Sequence, residues 1–139
     1  MSTVLWANVL AGGAVVSDQQ DRHALYKHAD RLDALARELG LPSFAAACDT
    51  TDARYNTQDL PLPDGATSTN DVMAASGAWL SRGDGERLLA GLLEHIRAKQ
   101  VRFGLLRNQH DEVVRELEDV LAFVRAQPAA ERFNFAVVM

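Results

Sequence analysis

The sequence has a single cysteine, few aromatic residues and no long apolar run. With Cys48 alone, no disulfide can form within the chain. No segment approaches the roughly 20 apolar residues that a membrane-spanning helix requires. The first residues lack the basic region and apolar core of a secretory signal, which together with the lone thiol predicts a cytoplasmic protein.

Aromatic side chains make up only 6% of the chain, and they do not alternate with basic ones. This argues against a stacking platform for single-stranded nucleic acid. The chain carries 14 basic and 19 acidic residues, a net charge of −5, which argues against binding along a phosphate backbone. We therefore expect neither a nucleic-acid nor a membrane partner.

What the chain does contain is typical of one globular domain spanning residues 1–139. Hydrophobic residues make up 47%, which is too many for a disordered chain. A domain of this length buries about two-thirds of its unfolded surface. No repeat, low-complexity tract or linker divides the sequence.

The two ends of the chain have the pattern of strands. Residues 3–10 and 133–139 are apolar on both alternating faces, as in strands that are covered on both sides. Gly12-Gly13 predicts a tight turn that returns the chain as a second short strand over 14–17. We predict an α+β domain with a small antiparallel or mixed sheet that includes both terminal strands.

Three main amphipathic helices are predicted to pack on this sheet. Apolar residues recur at three- and four-residue steps over 21–39, over 86–100 and from about Gln109 to Pro128. Asn108 is the predicted cap of the third helix. The short apolar run 44–48 is compatible with a third strand or a buried link.

Residues 49–77 are predicted to be an irregular loop with one short helix near 70–75. Pro61, Pro63 and Asp64-Gly65 interrupt any regular pattern there. Long loops often carry binding sites, so we expect this segment to lie beside any real pocket.

The familiar catalytic and metal-binding motifs are missing. The four histidines and Cys48 lack the local spacings of metal ligands, so we expect no metal and no other cofactor. Glu112 and Glu116 are four residues apart, which suits an acid/base pair or, more commonly, a solvated helix face. For Cys48 a small buried hydrophobe is the better interpretation than a nucleophile.

Two groups of residues remain as site candidates. The first group would line a pocket beside the predicted loop and consists of Asp49, Asp52, Tyr55, Trp79 and His110. Within it, His110 would be either a base at the edge of the cleft or a packed histidine with one hydrogen bond. The second group is a basic run made of Arg97, Lys99, Arg102 and Arg107. It would bind an anionic group or an acidic partner, or it would simply be the solvated basic end of a helix.

These observations support two functional hypotheses. The first is a non-catalytic interaction module that forms homo-oligomers or binds a protein partner, because a two-sided apolar strand such as 3–10 needs cover on its outer face. The alternative is a small enzyme or small-ligand-binding protein with its pocket beside residues 49–77.

Overall fold

The two ends of the chain form neighbouring strands of one mixed sheet. A computed structural model describes residues 2–139. Its strands are β1 (Val4–Ala11), β2 (Ala14–Ser17), β3 (Cys48–Asp49), β4 (Leu80–Ser81) and β5 (Arg132–Val138). Its helices are α1 (His23–Lys27), α2 (Ala29–Glu38), α3 (Phe44–Ala47), α4 (Thr51–Gln58), α5 (Thr69–Ser76), α6 (Arg82–Lys99) and α7 (His110–Arg125).

The sheet order is β2-β1-β5-β3, with β4 also paired to β5. Strand β1 is antiparallel to both β2 and β5, and β3 runs parallel to β5. The predicted α+β class and the pairing of the terminal strands are therefore confirmed.

The inner face of the sheet carries the main hydrophobic core. Leu5, Ala7 and Val9 of β1 are buried beside Phe133 and Phe135 of β5. The two phenylalanine rings meet edge to face with centroids 5.0 Å apart. The buried faces of α2, α6 and α7 belong to the same core. These buried faces are the rows of apolar residues that recur in the sequence at three- and four-residue steps.

The outer face of the sheet is covered by α4 and α5. Helix α4 contacts β5 and α5 contacts β2, and beneath them Asn8 and Ala136 are buried. The indole N–H of Trp79 donates a 2.8 Å hydrogen bond to the carbonyl of Met73, which ties α5 to the chain that follows it. In the described residues 2–139, the outer face of the sheet is therefore covered by the chain itself. It is not the exposed apolar surface on which the sequence-based expectation of oligomerisation rested.

Residues 49–77 are more regular than the sequence predicts. The short helix near 70–75 is confirmed as α5, but α4 was not foreseen, and 59–68 is the longest part without helix or strand. Helix α4 has few apolar residues of its own, so its sequence pattern is weak. Its packing on the sheet overrides that weak preference.

The first predicted helix is broken at His28 into α1 and α2. His28 leaves helical geometry, with φ −106° and ψ 19°, and its Nε2 is hydrogen-bonded 2.8 Å from Oε1 of Gln109. The start of α1 is capped by Glu116, whose carboxylate accepts from the backbone N–H groups of Ala24 and Leu25. These tertiary contacts replace one long helix with two short ones.

Two smaller boundaries also differ from the sequence prediction. Residues 44–47 form the single turn α3, and Cys48 begins β3, where the sequence predicts only a strand or a link. Helix α6 begins at Arg82, because the hydroxyl of Ser81 accepts from the N–H of Asp84 at 3.1 Å and caps that turn. Within residues 2–139, every helix is too short or too polar to cross a bilayer.

Candidate functional site

A small cavity of about 150 Å³ lies between the outer sheet face and helices α4 and α5. We call it the sheet cavity. Strands β1, β2 and β5 form one wall, helices α4 and α5 form the other, and Gln19 lies beside them. Its lining residues are Trp6, Asn8, Ser17, Gln19, Asp52, Thr69, Asn70, Met73, Ala136 and Val138.

A polar row crosses the three strands at this cavity. In the strand register Asn8 lies opposite both Ser17 and Asn134, so the three side chains share the outer face. The side-chain amide of Asn8 donates to Oδ1 of Asn134 at 3.1 Å, and Asn134 donates in turn to the carbonyl of Ala78 at 2.9 Å. The row thus places polar atoms in an otherwise apolar sheet.

The opposite wall is fixed by hydrogen bonds between α4 and α5. The carboxylate of Asp52 accepts from the hydroxyl of Thr69 at 2.8 Å and from the side-chain amide of Asn56 at 3.0 Å. On the sheet side, the indole N–H of Trp6 donates to Asp21 at 2.8 Å. Side chains from both walls are therefore oriented by neighbours.

Of the five pocket candidates, only Asp52 lines this cavity. Asp49 is buried, and its carboxylate accepts from the backbone N–H groups of Thr51 at 2.9 Å and Ala78 at 2.8 Å. It therefore joins both ends of the α4–α5 segment and has a structural role. Trp79 pins α5, and Tyr55 is half-buried on α4 outside the cavity lining.

His110 lies elsewhere, at the first residue of α7. Its Nδ1 is 2.7 Å from the carbonyl of Val101, so the imidazole joins the end of α6 to the start of α7. The N-cap of α7 is Gln109 and not the predicted Asn108, which lies one residue earlier and whose side-chain carbonyl accepts from the backbone N–H of His110 at 3.1 Å. This is the packed histidine with one hydrogen bond that the sequence also allowed.

Of the residues that line the cavity, only Asp52 was identified from the sequence, although the sequence contains one further indication of this site. Asn8 and Asn134 are isolated polar residues in two otherwise apolar strands. An amide at a buried strand position requires a polar partner, so two such amides indicate a shared contact. Gln19 and Asn70, by contrast, lie in ordinary polar stretches, where nothing distinguishes them.

The titratable groups singled out earlier are engaged in the fold. The pKa of the Cys48 thiol is raised to about 12, first by burial and then by the negative charges of Asp33 and Asp49. Glu116 caps α1, and Glu112 pairs with Arg107 at 3.3 Å. Within residues 2–139, no three His, Cys, Asp or Glu side chains converge as metal ligands would.

The basic run does not converge into one anion site. Arg97 forms an ion pair with Glu118 at 2.7 Å, and Arg107 pairs with Glu112. Arg102 donates to the backbone carbonyls of the α6–α7 loop, while Lys99 occupies the last turn of α6. Three of its four charges are thus held by groups of the same chain.

The loop between α6 and α7 presents two leucines to solvent. Leu105 is 95% exposed and Leu106 is fully exposed; we call this pair the leucine tip. Phe103 is buried beneath it, and the N–H of Gln109 donates to the carbonyl of Phe103 at 2.7 Å. Gly104 turns the chain with φ +103°, where an added Cβ would lie 2.3 Å from the carbonyl oxygen of Arg107.

A shallow groove follows the outer side of α6 and α7. It has a volume of about 570 Å³, and its apolar lining consists of Ala90, Leu93, Ala98 and Leu121. Glu94, Arg97 and Arg125 lie at its edges. We call it the α6–α7 groove.

Comparison with protein-family models, with curated proteins and with solved structures gave no match. Function is therefore inferred from the chain's own surfaces. Two of them have distinctive chemistry: the leucine tip with the α6–α7 groove, and the sheet cavity.

Proposed function

We propose that this protein is a non-catalytic interaction module that self-associates through the leucine tip. The observation that carries the proposal is the exposure of Leu105 and Leu106, two adjacent leucines with almost no cover from their own chain. Single exposed apolar residues are common on protein surfaces. Two neighbours that protrude together from a hydrogen-bonded turn instead mark a contact surface.

The turn holds the leucine tip in place before any partner binds. Arg102 donates to the carbonyls of Gly104 at 2.9 Å and Leu105 at 2.8 Å, and Asn108 accepts from the N–H of Phe103 at 3.0 Å. Ordering a loop on binding costs conformational entropy, and a pre-formed turn avoids most of that cost. The tip is thus arranged as a docking element would be.

A second copy of the chain is the partner that these surfaces favour. The α6–α7 groove offers an apolar lining on the same hairpin that bears the tip, so two copies related by a two-fold axis would exchange tip and groove. Burying one leucine contributes about 1.5–3 kcal/mol, and association costs at least about 4 kcal/mol. In a reciprocal exchange both copies bury their leucines, so the favourable free energy of burial doubles while the cost of association is incurred once.

An anionic membrane is a poorer partner for the same two leucines. The net charge of −5 repels such a surface. The arginines that flank the tip are already occupied, Arg107 by Glu112 and Arg102 by loop carbonyls.

We also propose that the module is cytoplasmic, a proposal supported by its single free cysteine.

Sedimentation equilibrium tests self-association directly. We expect the native chain to approach twice its 15.2 kDa as its concentration rises, and Leu105→Ser with Leu106→Ser to remain monomeric. The matched control is Leu60→Ser with Leu62→Ser, which removes two partly exposed leucines elsewhere and should leave dimerisation unchanged. A native chain that stays monomeric throughout would overturn the proposal, and so would binding to anionic vesicles that needs the tip.

A groove variant makes the test specific to this pairing. Ala98 is an exposed residue of the α6–α7 groove, so Ala98→Glu should block docking without disturbing the core. The Ala98→Glu chain still has its tip, and the serine variant still has its groove. The Ala98→Glu chain should therefore be monomeric although it retains its leucine tip, and dimerisation of this variant as strong as that of the native chain would contradict the exchange.

A further inference from the structure

The sheet cavity is a second surface, separate from the leucine tip, and its chemistry is that of a ligand site. At about 150 Å³ it has room for about five water molecules of about 30 Å³ each. Pockets for drug-sized molecules are larger, about 300–1,000 Å³. The volume limits an occupant to a single small ring.

The charge of the lining excludes anions. Among the described residues that line the cavity there is no lysine, arginine or histidine, and the carboxylate of Asp52 is the one charged group. An anion entering it would lose hydration without meeting a cation. Asp52 itself already accepts hydrogen bonds from Thr69 and Asn56, so its charge is partly satisfied. A neutral occupant suits this environment best.

Three side-chain amides line the cavity, from Asn8, Gln19 and Asn70. Asn8 is only 2% exposed; one N–H of its side-chain amide donates to Asn134, while its side-chain carbonyl accepts no hydrogen bond from residues 2–139. An amide presents a donor beside an acceptor, and it pairs in bidentate fashion with a ligand edge of the same kind. The cavity thus favours a ligand with adjacent N–H and C=O groups.

The remaining lining is apolar and includes a flat surface. Trp6 lies beside Met73, Ala136 and Val138, and the bond from its indole N–H to Asp21 restrains the ring. Aromatic and thioether side chains pack well against planar rings. A planar ligand would use these surfaces and the amides at the same time.

A hydrogen-bonded turn positions Gln19 beside the cavity. The φ of Gln19, +53°, lies in the left-handed region, which residues other than glycine adopt rarely. The hydroxyl of Ser17 accepts from the N–H of Gln19 at 3.1 Å and stabilises this turn beside the cavity. Asp59 and Gln100 adopt the same conformation away from the cavity, so the turn at Gln19 contributes only by holding its side-chain amide beside the lining.

We propose that the sheet cavity binds a small, neutral, planar heterocycle with adjacent N–H and C=O groups, of the kind found in pyrimidine bases. This site is independent of self-association, because the leucine tip and the α6–α7 groove contribute none of its lining.

Titration with uracil, followed by NMR of ¹⁵N-labelled protein, tests the proposal. We expect saturable shifts of the Trp6 indole signal and the Asn8 side-chain amide signals. The matched probe 1,3-dimethyluracil keeps the ring but lacks the N–H groups, and should bind at least about tenfold more weakly. Benzoate, an anionic ring of similar size, should cause no saturable shift. Equal binding of all three probes, or saturation by glucose but not uracil, would overturn the proposal.

Two variants tie binding to the lining residues. Asn70 and Gln19 are exposed at the cavity, so Asn70→Ala and Gln19→Gly should fold normally, and each should weaken uracil binding about tenfold. Gln58→Ala removes an amide on α4 outside the lining and serves as the control. The serine variant of the leucine tip should bind uracil as the native chain does. Failure of uracil to bind, or unchanged affinity in both cavity variants, would refute this site without bearing on self-association.

Discussion

Asn8 and Asn134 lie directly opposite each other on β1 and β5, and one amide donates to the other in the middle of the sheet. Asn8 is 2% exposed and Asn134 is 0% exposed. Burial of two amides is tolerated here because Asn8 donates to Asn134 and because Asn134 in turn donates to the carbonyl of Ala78.

Breaking this pair should be costly, and the cost should not be additive. Asn134→Ala leaves the amide of Asn8 and the carbonyl of Ala78 unpaired, which should lower the free energy of unfolding by about 2–4 kcal/mol. Asn8→Ala should cost less, and the double variant less than the sum of the two. Urea unfolding of all four proteins measures the coupling, and strictly additive losses would contradict it.

Gly85 of α6 should tolerate no side chain. A Cβ added there would lie 2.8–2.9 Å from atoms of the buried Phe133 ring and Cβ. Gly85→Ala should therefore destabilise the protein by about 1–3 kcal/mol through overpacking.

Gly83, two residues earlier on the same helix, is the matched control, because an added Cβ there meets nothing within 4 Å. Gly83→Ala should be neutral or stabilise by up to about 1 kcal/mol. Thermal unfolding of the two variants decides the matter. If they melt alike, Gly85 does not lie as close to Phe133 as described.

Acid should weaken the contact between α2 and α3 through Asp33. Its pKa is lowered, chiefly by the hydrogen bond from the backbone N–H of Ala45 and also by Ser43 and Arg37. Because the folded pKa lies below the unfolded one, this stabilisation is complete above about pH 4 and disappears as the pH falls through the folded value.

Unfolding measured from pH 6 to pH 2 should therefore show a smaller acid-dependent loss for Asp33→Asn than for the native chain. Asp64→Asn, at an exposed loop carboxylate, is the control and should follow the native profile. Identical slopes for all three proteins would show that Asp33 has no part in acid sensitivity.

The Cys48 thiol should resist alkylation in the folded protein. With a pKa near 12 it is almost entirely protonated at pH 8, and only the thiolate is a nucleophile. Mass spectrometry after iodoacetamide treatment should find the native chain unmodified and the chain in urea fully modified. Rapid modification of the folded protein would contradict the assignment of Cys48 as an inert, partly buried side chain.

The elements that could be predicted are those with strong periodicity. The apolar ends of the chain and the stripes of α6 and α7 specify strands and helices through local pattern alone. The break at His28 could not be predicted, because it depends on Gln109, which is distant in sequence. Helix α4 was missed since its stability comes from the sheet beneath it rather than from its own residues.

The cavity was harder to predict than the fold. Asp52 was identified because it lies in the segment 49–77, which was expected beside a pocket, but its neighbours Asn8 and Ala136 come from the two ends of the chain. Only the register of β1 on β5 brings those residues together. The leucine tip was missed for a different reason, because Leu105 and Leu106 fit a helical or a loop pattern equally well and exposure is decided by the turn at Gly104.

Asp49 joins the two ends of the α4–α5 segment, since one carboxylate accepts from the backbone N–H groups at both ends. Such a segment is a closed loop that can open as a unit while the inner face of the sheet stays folded. Its amides should therefore exchange with solvent as a group, ahead of those in α6 and α7. The stretch 59–68, which is largely exposed, is accordingly where the chain would accommodate added or deleted residues at least cost to the rest of the domain.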